Sequence, residues 1–164
     1  MKKIISAILA VLTVFLCSCG RKPAMTEILS YQSGDFSAEV GGTGGLHGVF
    51  TKSGEEYSFE LGTGAAEGIR YIMTDGVLYI CSGNVKIMLN KEKTPKMTAL
   101  FRCFRLDGDT VWQISEENTG GADVLRCVSQ DAAAYFERRS YIPYRFEIDG
   151  YVFDILKFDV IKRQ

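Results

Sequence analysis

Two hydrophobic periods alternate along the chain from Ala24 onward. Met25, Ile28 and Leu29 recur at helical spacing and Gly34 follows as a stop, which predicts a short helix over about Ala24–Ser33. The period then drops to two. Phe36, Ala38 and Val40 alternate with polar residues, and Gly41–Gly45 reads as a turn cluster. Leu46–Lys52 and Tyr57–Gly62 form the next pair of strands around Ser53-Gly54, with Tyr57, Phe59 and Leu61 on one face. Asp75-Gly76 joins Ile69–Met73 to Val77–Cys81 as a hairpin, and Ser82-Gly83-Asn84 leads into Val85–Leu89. Helical spacing returns once more. Thr94 reads as an N-cap, Pro95 as a first helical residue, and Met97, Leu100, Phe101 and Phe104 fall at i, i+3, i+4 and i+7 up to a stop at Asp107-Gly108. Strands are then predicted at Val111–Ser115, Ala122–Ser129 after the Thr119-Gly120-Gly121 turn, Ala132–Arg138, Tyr144–Ile148 and, past Asp149-Gly150, Tyr151 to about Ile161. Helix, strands, helix, strands is an α+β order. It predicts a large antiparallel sheet that must curl, an open half-barrel with the two helices covering one face.

The N-terminus has a different character. Met1-Lys2-Lys3 is basic and Ile4–Leu16 is almost continuously apolar. That run is short of the roughly 20 residues a spanning helix needs and has the flanks of a signal-peptide core. Leu16-Cys17-Ser18-Cys19-Gly20 resembles the bacterial lipobox: an aliphatic residue at −3, a small one at −1, then the cysteine whose thiol takes a diacylglycerol. Choosing Cys17 instead would place Val14 at −3 and Leu16 at −1, a poor fit. The resemblance implies residues 1–18 as a lipoprotein signal peptide, 19–23 as a lipidated tether and 24–164 as one half-barrel-like domain. Cys19 is the implied lipid attachment site, at the extracytoplasmic face of a cell membrane. Two or three acyl chains hold a protein far more firmly than one.

Composition narrows the partners. Removing residues 1–18 takes away Lys2 and Lys3 and no acid, so 19 basic residues become 17 against 20 acidic ones, a net charge of about −3. A nucleic-acid partner wants a basic face and is disfavoured. Beyond the lipobox, Cys81, Cys103 and Cys127 have no C-x-x-C spacing, so no zinc site is indicated. Either one disulfide and one thiol or three buried thiols fits an exported chain.

The segments Ile28-Leu29-Ser30-Tyr31, Phe36–Val40, Asp75-Gly76-Val77-Leu78-Tyr79 and Tyr141–Gly150, in this order around a central helix, resemble the Lol lipoprotein carrier and receptor superfamily. That resemblance covers most of the chain after the tether and implies a half-barrel with a hydrophobic groove for acyl chains. The soluble carrier has no lipobox, so Cys19 places the likeness nearer the anchored receptor and related envelope lipoproteins. None of that family's functional residues is carried over to a position of this chain. On the strands, Phe50, Tyr57, Phe59, Tyr79, Trp112 and Phe136 are the aromatic candidates for contacting an apolar ligand. Set against that is an ordinary filled core, in which case the chain is a structural or protein-interaction lipoprotein.

No catalytic residue, metal site or cofactor is indicated. His47, the one histidine, lies beside Gly45 and Gly48 with no nucleophile elbow nearby. Asp107 and Asp109 straddle Gly108 without the further oxygen ligands calcium requires, so they read as a turn. Gly41–Gly45 is followed by neither a Lys-Ser/Thr pair nor a helix, which argues against a phosphate loop. A hydrolase ranks behind both binding readings.

Overall fold

A computed structural model of the chain describes residues 23–62, 68–119 and 121–161. Residues 1–22, to which the sequence reading assigns a signal peptide, Cys19 and most of a tether, lie outside the described residues, as does Gly120 of the predicted turn.

The first helical segment is α1 (Met25–Ile28) continued by a 3₁₀ turn over Leu29–Ser33. Six strands follow: β1 (Asp35–Gly42), β2 (Leu46–Ser53), β3 (Glu56–Leu61), β4 (Arg70–Thr74), β5 (Val77–Ser82) and β6 (Val85–Met88). Helix α2 (Pro95–Cys103) precedes β7 (Gln113–Thr119), β8 (Ala122–Val128), β9 (Ala132–Glu137), β10 (Pro143–Ile148) and β11 (Tyr151–Ile161). They form one 11-stranded antiparallel sheet in the order β6-β5-β4-β3-β2-β1-β11-β10-β9-β8-β7. The two halves are meanders joined where the last strand pairs with the first, so β6 and β7 are left as edges and the curved sheet stays unclosed. This is the predicted half-barrel.

The hairpin signals work through backbone chirality. Asp75 and Gly76 have φ of 50° and 74°, and Asp149 and Gly150 have 53° and 79°, the left-handed pair a two-residue turn needs. Gly150→Ala is therefore expected to cost about 1 kcal/mol, read as a lower urea midpoint at unchanged slope.

Directly opposed residues of antiparallel strands share a face. The register thus puts Phe36, Ala38, Val40, Phe50, Phe59, Tyr71, Met73, Leu78, Phe146 and Phe153 on the inner face. Helix α2 lies over that face. Its predicted stripe is buried, and so are Ala99 and Cys103, so more of its circumference is covered than the stripe alone indicates. Phe104, just past the helix, stacks on Phe50 with centroids 4.1 Å apart and meets Phe146 edge-on at 5.4 Å, while Phe101 meets Phe50 at 5.2 Å. The concave side beneath the helix is filled with side chains.

Several boundaries differ from those the sequence predicts. Helix α2 stops at Cys103, short of Asp107-Gly108, with Phe104 as its C-cap. Thr94 precedes it but makes no side-chain cap; its hydroxyl donates to the Asn90 carbonyl at 3.0 Å instead. Trp112 lies just before β7 rather than in it. Tyr144 is the extra residue of a bulge between the Pro143–Phe136 and Arg145–Tyr135 pairs, so Pro143 takes the core position and Tyr144 turns outward. A second bulge, at Leu156, separates Glu39–Lys157 from Val40–Ile155 and reverses the alternation of β11. Without it, Lys157 and Asp159 would enter the core; with it, Phe158 does.

Candidate functional site

The six aromatics singled out in the sequence divide into three groups. Phe50, Phe59 and Phe136 are fully buried, Phe50 and Phe136 packed against other rings and Phe59 directly opposite Phe50 and Tyr71. Tyr79 opposes Ile72 and Met88 on the outer face, with Lys86 Nζ 4.2 Å from its ring centroid, and never meets the others. Tyr57 and Trp112 are half-buried and lie beside the same feature, a set of three concavities around Arg105 at the C-terminal end of α2.

The central concavity, about 240 Å³, is lined by Met73, Lys91, Thr98, Phe101, Arg102 and Arg105. On one side it adjoins a space of about 200 Å³ walled by Glu55, Tyr57, Met73, Asp75, Gly76 and Arg105. On the other, a space of about 220 Å³ shares Arg102 and Arg105 and includes Leu106, Asp107, Trp112, Asp131 and Ile148. Each is smaller than a typical ligand pocket, but they adjoin through Arg105.

The position of Arg105 follows from the end of α2. Arg102 lies in the last turn of α2 and Arg105 just past the Phe104 C-cap, where the Arg105 amide donates to the Arg102 carbonyl at 3.0 Å and keeps the two side chains close. Arg102 Nη1 reaches Asp149 Oδ2 at 2.6 Å, tying α2 to the β10–β11 turn. Arg105 Nη1 touches Met73 Sδ at 3.1 Å, and its guanidinium lies 5.4 Å from the Tyr57 ring centroid. Burial raises the Tyr57 pKa, and Arg105 works against that shift. Lys52, 6% exposed, approaches the same ring from its own strand at 5.9 Å and donates to the Gly34 carbonyl at 3.1 Å. The loop after α2 is an Asx-type turn, with the Asp109 amide donating to Asp107 Oδ1 at 2.9 Å and Trp112 Nε1 to the Asp107 carbonyl at 2.9 Å.

Sequence reasoning missed Lys52, Met73, Lys91, Arg102 and Arg105. The i, i+3 arginine pair flanking the apolar stripe was the available signal for the last two. For Lys52 and Met73 none existed, because only the β2–β3–β4 register brings them to Tyr57.

Comparison with known proteins adds fold-level likeness. No protein-family model matches the chain. No curated protein matches it either. Two solved structures are similar. One is a LolA-superfamily protein from Nitrosomonas europaea, with a TM-score of 0.40 and 12% identity over 87% of this chain and 96% of that one. The other is MucB in complex with MucA(peri), with a TM-score of 0.34 and 10% identity over 85% of this chain and 56% of that one. The fold class itself rests on the strand order and register.

Elsewhere, His47 Nε2 sits 3.1 Å from Glu39 Oε1 on the outer face, remote from the groove. Among the described residues no group of three or more His, Cys, Asp or Glu side chains is arranged to hold a metal ion. Cys81, Cys103 and Cys127 are free thiols, the last two buried. Burial pushes the Cys127 thiol from 9.0 up to about 12 and raises Cys103 as well. In the unfolded chain these thiols ionise near their ordinary value, so the stability they contribute is complete below about pH 9 and is lost as pH rises toward about 12. The urea midpoint should fall between about pH 8 and about pH 10.5, and Cys127→Ala should make that fall shallower.

Proposed function

We propose that this chain is a non-enzymatic lipoprotein of the cell envelope, held at the extracytoplasmic face of a membrane by diacylglyceryl Cys19. Its 24–164 domain receives an apolar or amphiphilic ligand in the groove around Arg105. One observation carries this reading. Phe50, Phe59 and Phe136 are sealed in the core and Met73, Phe101 and Ile148 are buried with them, so the partly exposed apolar side chains at the three concavities are Tyr57, Leu106, Trp112 and Ala132. On this reading the ligand sits at the mouth of the half-barrel and not between helix and sheet.

Two experiments test it. Labelled palmitate should enter the wild-type chain and not Cys19→Ala; equal labelling would remove the anchor from the proposal. Native mass spectrometry of the purified protein should show bound lipid, and short-chain lipids should shift the fluorescence of Trp112, the one tryptophan. Absence of both signals would refute the groove.

A second reading is favoured by a separate feature. Edge strand β6 exposes Val85, Ile87 and Met88, whereas the opposite edge, β7, carries Glu116 and Glu117. Charged edges resist strand addition and exposed apolar ones invite it, so β6 is where a protein-interaction role would operate. Crosslinking from position 87 in the envelope, with no partner above background, would dismiss that role.

A further inference from the structure

The three concavities around Arg105 differ in charge. The two flanking ones carry carboxylates, Glu55 and Asp75 in one and Asp107 and Asp131 in the other. The central one is lined by three cations, Lys91, Arg102 and Arg105, and by no carboxylate. Among the described residues neither Lys91 nor Arg105 has an ion-pair partner, and Arg102 uses one nitrogen on Asp149, leaving the rest of its guanidinium unassigned. The Thr98 hydroxyl donates to the Lys91 and Thr94 carbonyls at 3.2 and 3.0 Å, so its oxygen is left as an acceptor and the donors facing this space are the cationic ones.

These features select a ligand class. Guanidinium groups bind planar or tetrahedral oxyanions through paired N–H donors, and those charge-assisted bonds are the strong ones. Chain-wide attraction does not produce this preference, because the formal net charge is −1; it is local to the concavity. Beneath the cations lie Phe101, which is fully buried, and Met73, whose small exposed surface a hydrocarbon can use and a free inorganic anion cannot. Beyond Arg102 and Arg105, the concavity with Leu106, Trp112, Ala132 and Ile148 continues the apolar surface.

We propose that the central concavity is a head-group site for an anionic lipid, with its phosphate or carboxylate among Lys91, Arg102 and Arg105 and its first carbons running past Met73 toward Leu106 and Trp112. The carboxylates on either side confine the anion to this position. The proposal rests on the groove being a ligand site, as argued above, and gives that site a preference the groove alone does not require.

The test uses the full lipidated chain in a neutral detergent micelle, with Trp112 fluorescence as the readout. It is titrated with dihexanoyl phosphatidylglycerol, dihexanoyl phosphatidylcholine and inorganic phosphate at low and high salt. Phosphatidylglycerol should bind on the order of tenfold more tightly than phosphatidylcholine, and added salt should shrink the gap. Arg105→Gln and, independently, Lys91→Gln should narrow it, with Arg105→Lys, which keeps the charge and loses the paired donors, falling between wild type and Arg105→Gln; near-UV circular dichroism checks that each variant is folded. Equal binding of the two lipids, unchanged in the variants, would overturn the head-group site and leave the groove standing. Inorganic phosphate binding as tightly as phosphatidylglycerol would also overturn it, since the apolar floor would then contribute nothing. Failure of both lipids to bind would overturn the groove itself.

Discussion

Truncating Phe50 to alanine is expected to destabilise the fold by about 4 kcal/mol and to lower the melting temperature by roughly 10 °C. The ring is fully buried on β2 between Ala38 of β1 and Phe59 of β3. It stacks on Phe104 at 4.1 Å, meets Phe101 at 5.2 Å and lies 6.3 Å from Phe36, so it joins the helix to the sheet. Neighbouring strands are held by their ladders, and the small Ala38 opposite cannot fill the space. Cavity cost therefore adds to the lost transfer energy. Phe50→Leu keeps most of the volume and should cost less than half as much. Val111→Ser, at a residue 86% exposed, should move stability by less than about 0.5 kcal/mol and serves as the comparison. Urea unfolding of the three variants decides it. A loss below about 1 kcal/mol for Phe50→Ala would mean that the space under the helix can reorganise freely, and the ligand site would then belong beneath α2 and not at the mouth.

That sealed centre also shows what the sequence could convey. Alternation and two-residue turns located the strands, because each strand's burial and each left-handed turn is written locally, as in Phe36-Ser37-Ala38-Glu39-Val40 and Asp149-Gly150. Faces were harder. Tyr79 looks like Phe59 in its alternating context, but pairing with Ile72 sets it on the outer face. The alternation of β11 reads as continuous from Tyr151, and the reversal at Leu156 comes from β1, which is more than a hundred residues earlier in the chain. Trp112 has the composition of a strand residue, yet its indole N–H is taken by the Asp107 carbonyl in the loop before β7. The groove followed the same logic. Its aromatic members were visible as aromatics, and its cations were not, because a cation on an exposed helix turn looks the same whether or not a concavity lies beside it.

Gly48→Ala is expected to cost about 3 kcal/mol or more, the upper range for overpacking by one methyl group. In the sequence Gly48 falls within the predicted strand Leu46–Lys52, just after the Gly41–Gly45 turn cluster, and in the structure it is inside β2, buried, opposite Leu61. A Cβ placed there would lie 2.2 Å from the Glu60 carbonyl oxygen, 2.7 Å from Phe59 Cζ and 3.0 Å from Phe59 Cε2. The ring could turn aside at some cost, but the carbonyl belongs to the β3 backbone and moves only if the strand pairing does. Gly45→Ala provides the contrast: its φ is +70°, nothing lies within 4 Å of the added methyl, and the penalty is the roughly 1 kcal/mol of a left-handed alanine. Combining Gly48→Ala with Phe59→Leu separates the two obstacles. If stability returns to that of Phe59→Leu alone, the ring is the whole obstacle and β2 and β3 can part at no cost. If the loss persists, the close approach of the two backbones is what demands glycine, and the sheet is held rigid next to the residues that carry Tyr57 and Lys52 to the groove.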